Sequence, residues 1–198
     1  MITYGGRFKV TLEVYHGVPR GWSEAELVTA HRDLGGAFPI TGPKATEPGA
    51  PNWLPDRVHW LQYRRALYRI IDGVRAHDAA CIALAIRFIE LRYIGSYSGF
   101  IRARMANALK HEVLSSDQKK RLNRVFISIV RSKDYTEEFN SYAKLWRRIA
   151  QADALKLIQS LAAQQSPTLR WKWLRQFENN SVASQDQSRS PDARIRVS

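Results

Sequence analysis

The chain has 198 residues, 44% of them hydrophobic and 11% aromatic, which separates it from the polar compositions that remain disordered and suits one sizeable domain. Its formal charge is +13, a balance that attracts anions and opposes compaction by self-repulsion. One cysteine, Cys81, excludes an intramolecular disulfide framework and any cysteine-only metal cluster.

From Ile2 to Tyr15 the apolar residues Ile2, Tyr4, Phe8, Val10, Leu12 and Val14 fall on even positions, the alternation of a strand with one buried face. Nothing in this stretch pairs a basic flank with a continuous apolar run, so no secretory signal is expected. A lone strand leaves its backbone groups unpaired. Two partners are expected for it: a short strand over Ala37–Thr41, or a strand from another chain, including a second copy.

Ser23 with Glu26 three positions on forms a capping box, which opens a short helix ending near Gly35 and Gly36. Pro39 to Pro55 holds five prolines with Gly42 and Gly49 and reads as a crossing or linker. It divides the chain into residues 1–55, a strand, short helix and linker; residues 56–178, a basic helical domain; and residues 179–198, a polar tail expected to be disordered.

Past the linker the period becomes helical. Trp60, Tyr63, Leu67, Ile70, Ile71 and Val74 make one stripe, with Arg57, Arg64, Arg65, Arg69 and Arg75 on the remaining surface. A break near His77 and a restart capped by Asp78 are expected, then a helix apolar on nearly all sides from Ala79 to Tyr93. Arg87, Glu90 and Arg92 interrupt this most apolar run, so no bilayer span and no membrane partner are expected, and the cytoplasm is the expected location.

Gly95-Ser96-Tyr97-Ser98-Gly99 supplies a glycine stop and a serine restart. In the helix after it, Phe100, Ile101, Met105, Ala108 and Leu109 face inward, with Arg102, Arg104 and Lys110 exposed. Ser116–Ser132 is the clearest amphipathic helix: Leu122, Val125, Phe126, Ile129 and Val130 are inside, and Lys119, Lys120, Arg124 and Arg131 outside. Thr136–Ile149 follows with Phe139, Tyr142, Trp146 and Ile149 inward and Lys144, Arg147 and Arg148 near its end. Short helices are expected near 153–163 and 168–177. The fold class is mainly α with a small amino-terminal β element. Similar lengths of 78–111 and 115–150 suggest stacked helical hairpins of the HEAT-like repeat kind, with an irregular bundle as the alternative.

The charge is unevenly placed. Residues 1–55 carry five basic and five acidic side chains, residues 56–178 carry 23 and 11, and residues 179–198 carry three and two. Arginine and lysine clusters at helical spacing suit phosphate oxygens. The expected nucleic-acid contacts, to DNA or RNA, are Arg64, Arg65, Arg69, Arg102, Arg104, Lys119, Lys120, Arg124, Lys144, Arg147, Arg148, Arg170 and Lys172. The last two belong to Leu169–Arg175, which interleaves aromatic and basic residues and suits base stacking, an interfacial anchor, or docking of its tryptophans on the core. The bland reading of all these residues is a solvated outer face.

No phosphate-binding glycine loop, zinc-protease motif or paired Cys-x-x-Cys occurs, and Gly95–Gly99 has Tyr97 where a nucleophile elbow needs serine. His77 and Cys81 stand at one-turn spacing, yet a cysteine on so apolar a helix behaves as a buried hydrophobe. His16, His31, His59 and His111 lack ligand spacing, and Glu137 and Glu138 read as helix-start charges. The turn at 95–99 also fits a helix-turn-helix with Arg102 and Arg104 touching bases, against which stands the apolar helix before it. A non-enzymatic nucleic-acid-binding module without metal or cofactor is expected, as a possible complex subunit; the alternative is an adaptor or inhibitor that binds an acidic protein, with the strand augmenting its sheet.

Overall fold

The computed structural model describes residues 17–42, 57–95, 97–132, 134, 136, 138–150, 156 and 160. The expected strand over residues 2–15, most of the crossing at 39–55, the segment 169–175 with Arg170 and Lys172, and the tail 179–198 lie outside them. So do the two expected short helices, apart from Lys156 and Ser160, both helical.

The described part is mainly helical: α1 (Glu24–Asp33), α2 (Arg57–Arg75), α3 (Ala79–Leu91), α4 (Ser98–Leu109), α5 (Ser116–Ser132) and α6 (Phe139–Ile149). α3 lies at the centre, against α1, α2, α4 and α5, while α4 also packs on α2 and α6, and α5 on α6. Eight residues of α3 are buried, among them Leu84, Ile86, Phe88 and Ile89, which accounts for its apolar surface. The stripes of α2 and α5 close over it, that of α6 packs on α4 and α5, and Phe126 meets Trp146 and Tyr142 at ring-centroid distances of 5.8 and 5.2 Å. No helix among the described residues is long and apolar enough to cross a membrane.

The capping box is present as expected. Ser23 Oγ accepts from Glu26 N–H and the Glu26 carboxylate accepts from Ser23 N–H, the latter at 2.8 Å. Leu27 and Ile40 enter the same core as α2–α6, and Trp22 packs edge-on against Phe88 with centroids 5.1 Å apart.

No strand forms over Ala37–Thr41. The N–H groups of Ala37 and Phe38 instead donate to Asp78 Oδ2 at 2.9 and 3.0 Å, so a carboxylate takes the place of a neighbouring strand. Asp78 is also the expected N-cap of α3: Oδ1 accepts from Cys81 N–H at 2.8 Å and lies 3.1 Å from His31 Nε2. His77, just before it, takes a left-handed φ of 62° that ends α2. Gly73 lets α3 approach, since a Cβ there would stand 2.2 Å from Cys81 Sγ.

The turn between α3 and α4 differs from expectation. α3 stops at Leu91 with Arg92, not a glycine, as its left-handed C-cap, and Ser98 is the first residue of α4 and not its cap. The Ser98 hydroxyl closes the turn locally, donating to Gly95 O at 2.9 Å and accepting from Gly95 N–H at 3.0 Å. Before α5, Ser115 and Gln118 form a reciprocal cap, with Ser115 N–H donating to Gln118 Oε1 at 2.8 Å. α6 begins three residues later than its pattern suggests, at Phe139.

Burial alone would raise the Asp78 carboxyl, but N–H donors of Cys81, Ala37 and Phe38 outweigh it and hold the group well below the usual carboxylate range. Asp78→Ala removes a cap and leaves these donors unpaired, so it should lower unfolding free energy by about 3 kcal/mol. A depressed folded pKa makes this contribution complete above about pH 4 and lost as the pH falls through the folded value. Denaturant melts should therefore show the gap between wild type and variant holding at neutral pH and narrowing on acidification below about pH 4.

Candidate nucleic-acid interface

The eleven expected contacts that lie among the described residues fall into distinct environments. Lys120, Arg124 and Arg131 are exposed along one stripe of α5, and Lys144 and Arg148 along one stripe of α6, its packed neighbour. Lys119 is half-buried at the edge of the α5 stripe. The stripes follow from the amphipathic pattern: with Leu122, Phe126 and Ile129, or Tyr142, Trp146 and Ile149, pointing into the core, positions one turn apart on the opposite side must meet water. Arg65 and Arg147 are half-buried. Arg69 turns back onto the chain, donating to Pro39 O at 3.0 Å with its guanidinium 5.0 Å from the Phe38 ring centroid.

Two arginines expected on the surface are inside. Arg102 is 5% exposed. Its Nε and Nη2 donate to Glu138 Oε1 at 2.8 and 2.5 Å, and Nη1 donates to Tyr93 O. Glu138 caps no N–H of α6 with its side chain; it crosses to α4, where Gly99 admits it, a Cβ there standing 2.9 Å from the carboxylate. A guanidinium engaged in this way is not free to reach bases, which adds to the case against the helix-turn-helix reading of Arg102. Phe100, expected inside, is 52% exposed, because α4 turns Arg102 rather than Phe100 toward α6.

Arg64 is 3% exposed and lies among the rings of Trp60, Tyr68 and Tyr97, with Arg104 exposed beside it. One-turn spacing on α2 brings Arg64 to Trp60 and Tyr68, although the apolar stripe places Trp60 inside and Arg64 outside. The contribution of Tyr97 was not legible, since it arrives from the start of α4.

Among the described residues of the helical region, every acidic side chain but Asp117, exposed at the start of α5, meets a basic partner. Asp72 pairs with Arg75, Asp78 with His31, Glu90 with Arg121, Glu112 with His77, Asp134 with Arg92 and Glu138 with Arg102. Arg121 and Glu90 meet bidentately at 2.8 and 2.5 Å, and the Glu90 hydrogen bond raises the guanidinium pKa further. The cations of the α5 and α6 stripes have no ion-pair partner among the described residues.

A cavity of about 240 Å³ lies where α4, α5 and the start of α6 meet. Its charged lining consists of the pairs Arg92–Asp134 and Arg102–Glu138, with Tyr142 beside them. None of His77, Cys81 or Tyr97 lines it. His77 and Cys81 do not meet as base and nucleophile: His77 is exposed outside α3 with Nδ1 2.7 Å from Glu112, and Cys81 is buried.

Sequence spacing missed one cluster, because its members come from different elements. His31, Asp78 and Cys81 bring an imidazole nitrogen, a carboxylate and a thiol within 4.8 Å of one another. Burial, and then the hydrogen bond to Asp78, push the Cys81 thiol above its ordinary range. With the Asp78 oxygens already accepting backbone donors, the cluster acts as a structural clamp.

No protein-family model, curated protein or solved structure matches the chain.

Removing one member of a buried ion pair leaves the other charge uncompensated. Glu138→Ala should lower stability by about 3–5 kcal/mol, measured by chemical denaturation, whereas Arg124→Ala on the α5 stripe should change it by less than about 0.5 kcal/mol.

Proposed function

We propose that the chain is a non-enzymatic helical module that binds nucleic acid through the phosphate backbone and serves as a cytoplasmic subunit of a larger nucleoprotein assembly. The supporting observation is the disposition of charge: among the described residues of the helical region the carboxylates other than Asp117 meet basic partners, and Lys120, Arg124, Arg131, Lys144 and Arg148 stand outward on α5 and α6. Each such side chain displaces condensed counterions when it meets a phosphate, which drives association without reading sequence. Contacts of α3 with α5 and of α4 with α6 also support reading α3–α4 and α5–α6 as two stacked hairpins of the HEAT-like kind. In this reading the alternating segment 2–15 supplies the strand that joins a partner chain.

Gel shift at rising salt tests the proposal. Affinity should fall linearly on a log–log plot, and Lys120→Glu with Arg124→Glu should weaken binding across all sequences and flatten the slope by about one for each phosphate no longer neutralised. Absence of binding at low salt overturns it. Retained binding to an acidic protein partner alone, abolished by deletion of residues 1–15, would establish the adaptor reading in its place.

A further inference from the structure

The Arg64 guanidinium is closed in by aromatic rings, and its one acceptor among the described residues is the distant Tyr68 hydroxyl. Its centre lies 4.5 Å from the Tyr97 ring centroid, 4.9 Å from that of Trp60 and 5.5 Å from that of Tyr68. Nη2 reaches the Tyr68 hydroxyl only at 3.5 Å, and Nε and Nη1 have no hydrogen-bond partner among the described residues. Ring faces attract a cation but cannot accept its in-plane N–H bonds, so a buried guanidinium with open donors is a site prepared for an anion.

Its surroundings specify the kind of anion. Arg104, exposed on α4, lies 5.3 Å from the same Tyr68 ring and 4.7 Å from Phe100. The two arginines therefore share one ring, and two further rings flank them, Tyr97 at 50% and Phe100 at 52% exposure. Tyr97 is the nearest and most exposed of the rings around Arg64, so its rotation is the simplest way to uncover the open donors. A free inorganic anion would use the arginines and leave the half-exposed rings idle. A duplex would offer phosphates but hide its base faces. Unpaired nucleotides present flat rings and phosphates in alternation, as this face does.

We propose that the α2–α4 face binds single-stranded nucleic acid, with bases stacked on Tyr97 and Phe100 and phosphates held by Arg104 and Arg64. The proposal rests on the phosphate-binding reading above and adds to it a strand type and a second contact surface, apart from the α5 and α6 stripes.

The experiment is fluorescence anisotropy of the full chain with a labelled oligothymidine and with a duplex of equal length, comparing wild type, Phe100→Ala and Tyr97→Asn. Asparagine tolerates the left-handed backbone at position 97, where φ is 63°, and circular-dichroism melts check that both variants fold. Each variant should lose about 5- to 100-fold in affinity for the single strand while duplex binding stays unchanged. Wild-type binding with neither variant affecting the single strand overturns this face and leaves the phosphate reading intact. Equal losses on both probes also overturn it, since stacking on unpaired bases would then not be the contact. Failure of wild type to bind either probe overturns both readings.

Discussion

The carboxylate of Asp78 joins three segments distant in sequence. It caps α3 through Cys81, holds the backbone at Ala37 and Phe38, and faces His31 from α1. The geometry is possible because His77 takes a left-handed turn immediately before it and Gly73 lets α3 lie close on α2. Withdrawing a carboxylate from water is unfavourable, and here several converging N–H donors offset the penalty. α1 and the residues just after it are thereby fixed to the central helix, and Leu27, Phe38 and Ile40 can complete the core.

A protein with this surplus of positive charge must also limit its own repulsion. Each long-range ion pair ties two elements together: Glu90 to Arg121 joins α3 and α5, and Glu138 to Arg102 joins the start of α6 to α4. The same pairing shapes the surface, because acidic groups used between helices no longer neutralise the outer stripes. Packing and surface potential are thus set by one distribution of charges.

Most of the helical core was legible in the sequence. Trp60 to Val74, Leu122 to Val130 and Phe139 to Ile149 keep three-and-four spacing, and their apolar stripes are buried, except that Val125 is half-buried and Arg64 goes inside against the pattern. Ser23 with Glu26, and Asp78 after His77, mark helix starts by local chemistry that tertiary contacts do not override. Position 102 reads as surface because arginine is ordinarily a surface residue, and the carboxylate that makes its burial tolerable lies 36 positions later. Ala37–Thr41 reads as a strand for a related reason: the acceptor of the Ala37 and Phe38 N–H groups is a side chain on another element, which sequence spacing does not reveal. At the candidate interface the α5 and α6 stripes are readable as wheel positions, whereas Tyr97 joins Arg64 only through the packing of α4 on α2.

The contact between Gly73 and Cys81 makes the one thiol of the chain a gauge of its own interior. Cys81 is fully buried, and its raised ionisation leaves almost no thiolate at neutral pH. A thiol-directed reagent can therefore reach it only in molecules whose α2–α3 interface has opened. The labelling rate of the unmodified protein then reports the frequency of that opening, and thus whether binding at a distant face tightens the central helix.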